Sequence, residues 1–530
     1  MLLKILKNIF LFLIAILFIC PIVSLVSILF TDAATSPWII SRLFPEYIFN
    51  TIILMVGVGI ITFIFGVIPA WLITFFSFPG RKILEVVLFF PISIPGYISA
   101  FIYANTLEFS GPVQTLLREI FHWSKNDYWF PEIKSLGSGM LVMGFSLYPY
   151  VYILVRSNLK KLSNSVTISS TFGYSPLHNL FAIIIPSARP SIIAGLSLVL
   201  MEVITDFGSS QFLAIDTFTT GIYRTWFLLY DKYLATVLAI IGLLFILVLT
   251  ILEKKFQKRG DSCLSLNVNL DYHSKREIKS ITHLIFTYTM CILPVLIGFI
   301  IPIIPLIYWT IEKSFHIYDF RFYATLINSI TISSMTALIS IILAIIIGYV
   351  AQKDKIMRYL AHIISMGYSV PNIIIAISIM IFLGQVSLVI SNYITKVYLV
   401  GTVIALIYSY IFCFFAISFK AVESGLKKVS KEIEWTASTM GYGPISTCVN
   451  IHVPLIRKSI LAGFLLVFID TLKELTITLI IRPFNFETLS TRIYELVSDE
   501  RYKEAAPFAL IIIVIGLVAA VLLSNFDDEK

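Results

Sequence analysis

Acidic side chains stand four residues apart inside two long apolar segments of this sequence. Glu202 and Asp206 lie in LVLMEVITDFG, and Asp470 and Glu474 lie in LVFIDTLKELT, 268 positions later. Residues four apart share one face of a helix, and a charge inside a membrane costs about 2.5 kcal/mol or more, so it usually faces a pathway or a partner. The pattern predicts a cation pathway lined by these acids and by Lys473. The alternative is structural: Lys473 neutralises a neighbouring acid, or water near the outer surface solvates a carboxylate.

The acids belong to a larger repeat. The stretch 164–195 aligns without a gap to 432–463 at the same offset of 268. Internal repeats decide the organisation of a chain, and this one indicates a duplication. The matched pairs are Gly173 with Gly441, Tyr174 with Tyr442, Pro176 with Pro444, Pro186 with Pro454, and Gly195 with Gly463.

The composition indicates a polytopic membrane protein. The 530 residues are 58% hydrophobic and 13% charged, with a mean hydropathy of +0.92. Soluble domains are about 45–50% apolar and about 25% charged, so the lipid bilayer must cover the excess apolar surface. The net charge of +8 does not indicate a nucleic-acid partner, because the lysines and arginines cluster in short loops between apolar runs.

Twelve apolar runs are long enough to span a bilayer, which takes about 20 residues. They predict an all-α fold of about 12 transmembrane helices, arranged as two parallel six-helix repeats. The domains are a first half at 1–252, a solvated cytoplasmic linker at 253–283 and a second half at 284–530. The runs are 9–30, 48–76, 83–106, 138–158, 190–214 and 234–252, then 284–310, 325–351, 357–384, 398–418, 458–481 and 504–524.

The distribution of Lys and Arg predicts the orientation. The N-terminus, the even-numbered loops and the C-terminus together carry about twice as many as the odd-numbered loops, and the richer side is the cytoplasmic one. Both termini and both copies of the repeated stretch are therefore expected in the cytoplasm.

Each copy of the stretch has the signals of a short helix. In the second copy Ser430 is a candidate N-cap, and Glu434 lies in the first turn, where the helix dipole favours acids. Gly441 is a candidate C-cap, and Pro444 prevents continuation. The first copy repeats the stop signal at Gly173 and Pro176.

This pattern resembles the coupling motif of ATP-binding-cassette (ABC) importer permeases, in the type I fold. The resemblance implies that each short helix docks on a cytoplasmic ATPase dimer. The usual glutamate-alanine-alanine positions hold Thr167, Ile168 and Ser169 in the first copy, and Trp435, Thr436 and Ala437 in the second, so two unequal docking sites are expected. The coupling residues implied are Thr167, Ser169, Gly173, Pro176, Pro186, Glu434, Ala437, Gly441, Pro444 and Pro454.

The sequence contains no GxxxxGK[ST] loop to bind nucleotide phosphates. With the resemblance, this implies that ATP is used by a separate ATPase subunit and that this chain is not an enzyme and binds no cofactor. The cysteines form no CxxC pair and the histidines no metal-ligand spacing, so no metal site is assigned.

Two regions resemble the ferric-iron branch of these permeases, which lie in the bacterial inner membrane. They are MEVITDFGSSQF with TFTTGIYRTWF, and the run from Asp470 to Ala506. The resemblance implies Fe³⁺ as substrate, delivered by a soluble binding protein that docks near Tyr223, Arg224, Arg492 and Tyr494. Thiamine, polyamine or phosphonate permeases of the same layout are alternatives. A secondary transporter, which also uses repeated halves and buried charges, is the alternative of another class.

Overall fold

The computed structural model describes residues 16–30, 37–124, 127–171, 176–258, 276–278, 280–313, 320–393 and 398–527, and these are almost entirely helical. The predicted all-α fold is confirmed. The helices of the first part are α1 (Ile16–Phe30), α2 (Pro37–Phe75), α3 (Arg81–Val87), α4 (Gly96–Leu107), α5 (Pro112–Phe121), α6 (Leu136–Thr171), α7 (Pro176–Asn179), α8 (Ile185–Thr205), α9 (Gly208–Phe212), α10 (Phe218–Tyr223) and α11 (Lys232–Lys258).

The second part begins with two helices that a π-helical turn, Leu296–Ile300, joins. In chain order its helices are α12 (Ile281–Val295), α13 (Ile301–Glu312), α14 (Phe320–Lys353), α15 (Lys355–Ile364), α16 (Asn372–Tyr393), α17 (Val403–Leu426), α18 (Lys431–Thr439), α19 (Pro444–Thr447), α20 (Val453–Leu455), α21 (Arg457–Leu472), α22 (Thr476–Ile481), α23 (Leu489–Ser498) and α24 (Tyr502–Asp527).

Among the described residues, nine helices are long and apolar enough to cross a membrane. A bent pair, Arg81–Ser93 with Gly96–Phe121, brings the number to ten, and α1 is a shorter apolar helix. The run 458–481 was predicted to be one span, but the structure divides it into two helices, α21 and α22. The run 190–214 is divided in the same way, into α8 and α9.

The helices pack into two compact units whose composition differs from that of the sequence halves. The N-terminal unit comprises the described parts of Ser36–Leu229 and Leu238–Glu312; the C-terminal unit comprises those of Met1–Thr35, Tyr230–Val237 and Lys313–Lys530. Helix α1 therefore packs within the C-terminal unit, and α12 and α13 pack within the N-terminal unit. The division of the sequence at 253–283 stays a prediction.

The N-terminal unit has its core where α2, α6 and α8 meet, with Val58, Tyr148 and Val151 buried. Gly195, one of the repeated glycines, lets α8 approach α6 closely, because a Cβ there would lie 2.9 Å from Val151 Cα. In the connection after α11, β2 (Arg276–Glu277) pairs in parallel with β1 (Phe76–Ser77), and Glu277 is exposed. The predicted solvated linker stays a prediction.

The core of the C-terminal unit lies between α14, α17 and α21, with α1 packed against it. Phe18 of α1 stacks on Phe412 of α17, with ring centroids 5.2 Å apart. Gly463, the repeat partner of Gly195, again faces a neighbouring helix: a Cβ there would lie 3.0 Å from Ala421 Cβ. Both repeated glycines are thus explained by close helix packing.

Candidate functional site

The first break in a span follows α8. The helix ends at Thr205, and the backbone of Asp206 is extended, with ψ of 122°. Asp206 Oδ2 accepts a hydrogen bond from Ser209 Oγ at 2.9 Å, and Oδ1 accepts one from the Ser210 N–H at 3.1 Å. The carboxylate therefore satisfies N–H donors at the start of α9 that would otherwise have no helical partner. Gly96 lies against the Ser209 side chain that donates to this carboxylate, since a Cβ at Gly96 would be 2.7 Å from Ser209 Oγ.

Glu474 holds the corresponding position after α21, which ends at Leu472. Its Oε1 accepts from the Ile477 N–H at 2.9 Å and from Asn372 Nδ2 at 3.2 Å. Its Oε2 accepts from the N–H and the hydroxyl of Thr478, both at 3.1 Å. Glu474 is only 6% exposed, and a buried carboxylate needs such partners.

The predicted shared helical face is kept by the first pair, in which the Asp206 N–H still donates to Glu202 O at 2.9 Å as in a helix. It is wrong for the second pair, because α21 ends at Leu472 and the Glu474 N–H donates to Thr471 O at 3.2 Å. Asp206 and Glu474 bond to backbone N–H groups three or four residues on, a local interaction that competes with helix continuation. Glu202 lies within α8 and Asp470 within α21, and both are partly exposed. Lys473 Nζ lies 2.9 Å from Asp470 Oδ1. A pathway role for these acids stays a prediction.

Two short helices, α10 and α23, follow the breaks and begin in the same way. The Thr217 N–H donates to Thr220 Oγ1 at 2.8 Å, and the Thr488 N–H donates to Thr491 Oγ1 at 2.9 Å. Both form reciprocal capping boxes, which fix where a helix starts. The two units thus carry matching structures after their breaks.

The residues that hold the first turns of α10 and α23 were not predicted from the sequence. Asn50 Nδ2 donates to the carbonyl directly before the α10 capping box at 3.1 Å, and Thr51 Oγ1 accepts the first N–H of α10 at 3.3 Å. In the same way, Asn328 Nδ2 donates to the carbonyl directly before the α23 capping box at 3.2 Å, and Ser329 Oγ accepts the first N–H of α23 at 2.7 Å. The signal was the repeated FNTI and INSI near the starts of two spans.

The four predicted docking residues lie on these helices or next to them. Arg224 pairs at 2.8 Å with the acid directly before its capping box, and Arg492 pairs with the corresponding acid at 3.8 Å. Tyr223 packs on Phe207, with ring centroids 4.8 Å apart, and Tyr494 is partly buried on α23. Their charges are thus engaged within the chain, and docking stays a prediction.

The second copy of the coupling motif forms the predicted short helix, α18, which ends at a left-handed glycine. Gly441 has φ of +84°. The Gly441 N–H donates to Ser438 O at 3.1 Å, and the Tyr442 N–H donates to Ala437 O at 3.0 Å. This is the Schellman arrangement, in which glycine avoids the strain that a Cβ brings. The sequence therefore fixes the end of α18.

A π-helical turn precedes each repeated proline in the coupling stretch. The turns are Leu180–Ile184 and Cys448–His452, at the same offset of 268 as the sequence repeat. Pro186 and Pro454 follow two residues later and have no N–H to continue an α-helical ladder. Both predicted proline positions thus mark a local change of helical pitch at the entry to α8 and to α21.

The faces of α18 differ in what they contact. Ala437 is buried, and Glu434 Oε1 lies 3.9 Å from Nε2 of His452, a residue that is only 3% exposed. The expected acidic docking residue therefore faces its own chain. On the other side Trp435 is 65% exposed and Met440 70%. This exposed surface, with Ile445 beyond it, is called the α18 apolar patch.

The first copy differs from the second, since its described residues up to Thr171 continue α6 and form no separate short helix. Thr167 and Ser169 belong to α6, which continues to Thr171; their side chains, and Gly173 altogether, lie outside the described residues. Pro176 begins α7. In the second copy Gly425 weakens the helix just before the break, whereas the first copy has Ser157 at the matched position.

The chain belongs to the family described as "Binding-protein-dependent transport system inner membrane component", which matches residues 62–260 and 339–528. The predicted duplication is confirmed, because the family matches once in each half. This membership identifies a multi-pass permease subunit of an ABC importer and decides against a secondary transporter.

Two relatives and one solved structure show the range of similarity. The Fe(3+)-transport system permease protein FbpB 2 of Haemophilus influenzae is 26% identical over 497 residues, covering 91% of this chain and 90% of that protein. The sulfate transport system permease protein CysT of Salmonella typhimurium is 26% identical over 152 residues, covering 28% and 52%. The crystal structure of a bacterial alginate ABC transporter in complex with alginate pentasaccharide-bound periplasmic protein has a TM-score of 0.39 at 19% identity, covering 46% of this chain and 94% of that chain.

Proposed function

We propose that this chain is the permease of an ATP-driven importer that receives ferric iron from a soluble binding protein. The extent of similarity supports this: the ferric-iron permease aligns over 91% of the chain, whereas the sulfate permease aligns over 28%. Carboxylates suit Fe³⁺, a hard cation that prefers oxygen ligands. Glu202 and Asp470, the acids not engaged in the two span breaks, are the proposed pathway residues.

The proposed assembly places both termini and α18 on the cytoplasmic side of a bacterial inner membrane. There α18 docks on an ABC ATPase dimer, which uses the ATP, while this chain binds no cofactor. The α18 apolar patch supports this proposal, because an exposed apolar surface rimmed by polar residues is typical of an interaction site. The proposed binding-protein surface at the opposite end includes Arg224 and Tyr494.

In the proposed cycle, ATP binding closes the ATPase dimer and draws the two coupling stretches together. Because α21 continues from the π turn and Pro454, movement of α18 is passed to the span that carries Asp470. The same connection runs from Pro186 through α8 to Glu202. The pathway then opens toward the binding protein, and hydrolysis returns it to the inward state.

Uptake of radiolabelled ferric iron tests the substrate. We expect a strain that lacks this chain to lose most high-affinity iron uptake and to regain it from a plasmid copy, because uptake through this importer requires the permease. Uptake of thiamine, polyamine, phosphonate and sulfate, measured in parallel, is expected to be unchanged. Normal iron uptake together with loss of one of these four would assign that substrate instead.

His452 is expected to position α18 for docking, through its contact with Glu434. Replacing His452 with leucine removes a polar group that lies 3.9 Å from the carboxylate of the partly buried Glu434. We expect several-fold less iron taken up per ATP hydrolysed in proteoliposomes that contain the complete importer. The number of ATP molecules used per ion is the informative quantity, because a fold defect lowers uptake and hydrolysis together.

Glu432→Gln is the matched control, since Glu432 lies on the same helix and is exposed. It is expected to leave the ratio of uptake to hydrolysis unchanged. An unchanged ratio in His452→Leu would show that His452 does not position α18.

A further inference from the structure

Helix α5, which follows α4 in the N-terminal unit, buries the polar Gln114 and exposes three apolar side chains beside the exposed Glu119. Gln114 is buried, whereas Val113 is 39% exposed, Leu116 55% and Ile120 60%. These three apolar residues recur at the helical spacing that forms one stripe along a face. They are called the α5 stripe. An ordinary surface helix of a soluble protein has the reverse arrangement.

The inward face of α5 is held by hydrogen bonds. Gln114 Nε2 donates to Leu107 O at 2.8 Å, so α5 satisfies a carbonyl at the end of α4. Tyr128 OH donates to Gln114 Oε1 at 2.7 Å, and Arg118 donates to the Tyr128 hydroxyl oxygen at 3.0 Å. Arg118 also lies over the Phe109 ring, 4.2 Å from its centroid. The outward direction of the stripe is therefore fixed by specific contacts.

The turn before α5 sets its depth relative to the membrane. A Cβ at Gly111 would lie 2.5 Å from Asn105 O and 2.7 Å from Thr106 O, so the chain turns tightly against the last carbonyls of α4. Helix α5 belongs to the bent pair Arg81–Ser93 with Gly96–Phe121, but the span predicted from the sequence, 83–106, ends within α4, and we take that end as the boundary of the bilayer. Helix α5 thus begins at the level of that boundary, at the end of the N-terminal unit away from the coupling stretch.

Aromatic residues continue the surface beyond the stripe. Phe121 stacks on Trp123 at 4.5 Å and Trp123 on Tyr128 at 5.4 Å. Trp and Tyr are enriched at the level of lipid headgroups, where one end of the side chain is apolar and the other is solvated. The stripe itself bears no charge, although a protein partner recognised by electrostatic complementarity would require one.

We propose that α5 lies in the membrane boundary, with the α5 stripe buried among lipid acyl chains of the leaflet away from the coupling stretch. The partner is a phospholipid surface, and the helix is interfacial rather than spanning. It anchors the long connection between α4 and α6 beside the end of the span. This inference does not depend on the identity of the transported substrate.

Photocrosslinking in living cells tests the partner. Benzoylphenylalanine replaces Leu116 in one variant and Ile120 in a second, and the purified chain is analysed by mass spectrometry. We expect phospholipid adducts at both positions, at least about fivefold more abundant than at Glu132, an exposed control residue of the same connection. Two stripe positions are used so that poor insertion of one variant does not decide the result.

Either of two results would overturn the proposal. A protein-sized adduct at Leu116 would make the stripe a docking surface for a soluble protein. Lipid adducts no more abundant at Leu116 and Ile120 than at Glu132 would place α5 in water. The same variants in nanodiscs of phosphatidylethanolamine and phosphatidylglycerol must repeat the lipid adducts without any other protein. Ferric-iron uptake is not a readout, so failure of the proposed function leaves this test unaffected.

Discussion

Replacing Gly441 with valine is expected to lower ATP-driven uptake at least about tenfold while the permease remains in the membrane. The residue has φ of +84°, and a Cβ at this position would meet nothing within 4 Å, so the substitution acts on the backbone alone. A non-glycine residue in this region costs about 1–3 kcal/mol, and about 1.4 kcal/mol is tenfold in an equilibrium constant. The strain is released by loosening the end of α18, which displaces the α18 apolar patch from its docking position.

Gly443→Ala is the matched control, since a Cβ at Gly443 also meets nothing within 4 Å and its φ is −72°. Uptake and the amount of permease in the membrane are measured for both variants. Normal uptake by Gly441→Val would contradict a coupling role for the end of α18.

Replacing Glu474 with alanine is expected to destabilise the C-terminal unit strongly. The change leaves the buried N–H groups of Ile477 and Thr478 without their acceptor, and each unsatisfied buried donor costs about 1–3 kcal/mol. We expect a clearly lower midpoint of thermal unfolding in detergent, measured by the loss of monodisperse protein in size-exclusion chromatography. Uptake is expected to fall with the amount of folded protein.

Asp470→Asn is the comparison that separates stability from transport. Asp470 Oδ1 lies 2.9 Å from Lys473 Nζ, and asparagine keeps an acceptor oxygen for that lysine at the same position. The unfolding midpoint of Asp470→Asn is therefore expected to change little. Reduced iron uptake by stable Asp470→Asn supports the pathway proposal, and an unchanged midpoint in Glu474→Ala would contradict the structural role of Glu474.

The structure also determines what can be learned about transport from replacing Asp206 or Glu474, the second acid of each pair, with its amide. Asp206→Asn keeps its oxygen on the Ser210 N–H and donates from its amide nitrogen to Ser209 Oγ. In Glu474→Gln the amide nitrogen faces a backbone N–H whichever way the amide turns, which is a donor opposite a donor. Loss of transport in Glu474→Gln would therefore reflect the break in the span as much as a pathway. Glu202 and Asp470 are the more informative positions, because neither takes part in the breaks.

Sequence alone was sufficient where a local pattern determines the outcome. The apolar runs predicted the span helices, and Gly441 with Pro444 predicted the end of α18, because both depend on neighbouring residues. Pro186 and Pro454 lie at the entries to α8 and α21 as predicted, although the π turns before them were not foreseen, and their coupling role stays a prediction. The offset of 268 located the second repeat, because a duplication leaves its glycines and prolines in register along the chain.

What could not be predicted depends on residues far apart in the chain. Glu474 is held by Asn372, 102 residues earlier, and the first N–H of α23 is held by Ser329, 160 residues earlier. A spacing of four suggested a shared helical face for Glu474 and Asp470. The helix ends before Glu474 instead, because Asn372 and the N–H groups of Ile477 and Thr478 bind its carboxylate.

The position of α1 has a consequence for biosynthesis. Phe18 packs on Phe412 and Phe415, which are translated long after α1 has entered the membrane. At about 5–20 residues per second, α1 waits roughly 20–80 s for those partners. During that time lipid or the insertion machinery must shield it. An interrupted chain that ends before α17 would present α1 without its packing partner, a feature by which a membrane protease can distinguish unfinished permease from complete permease.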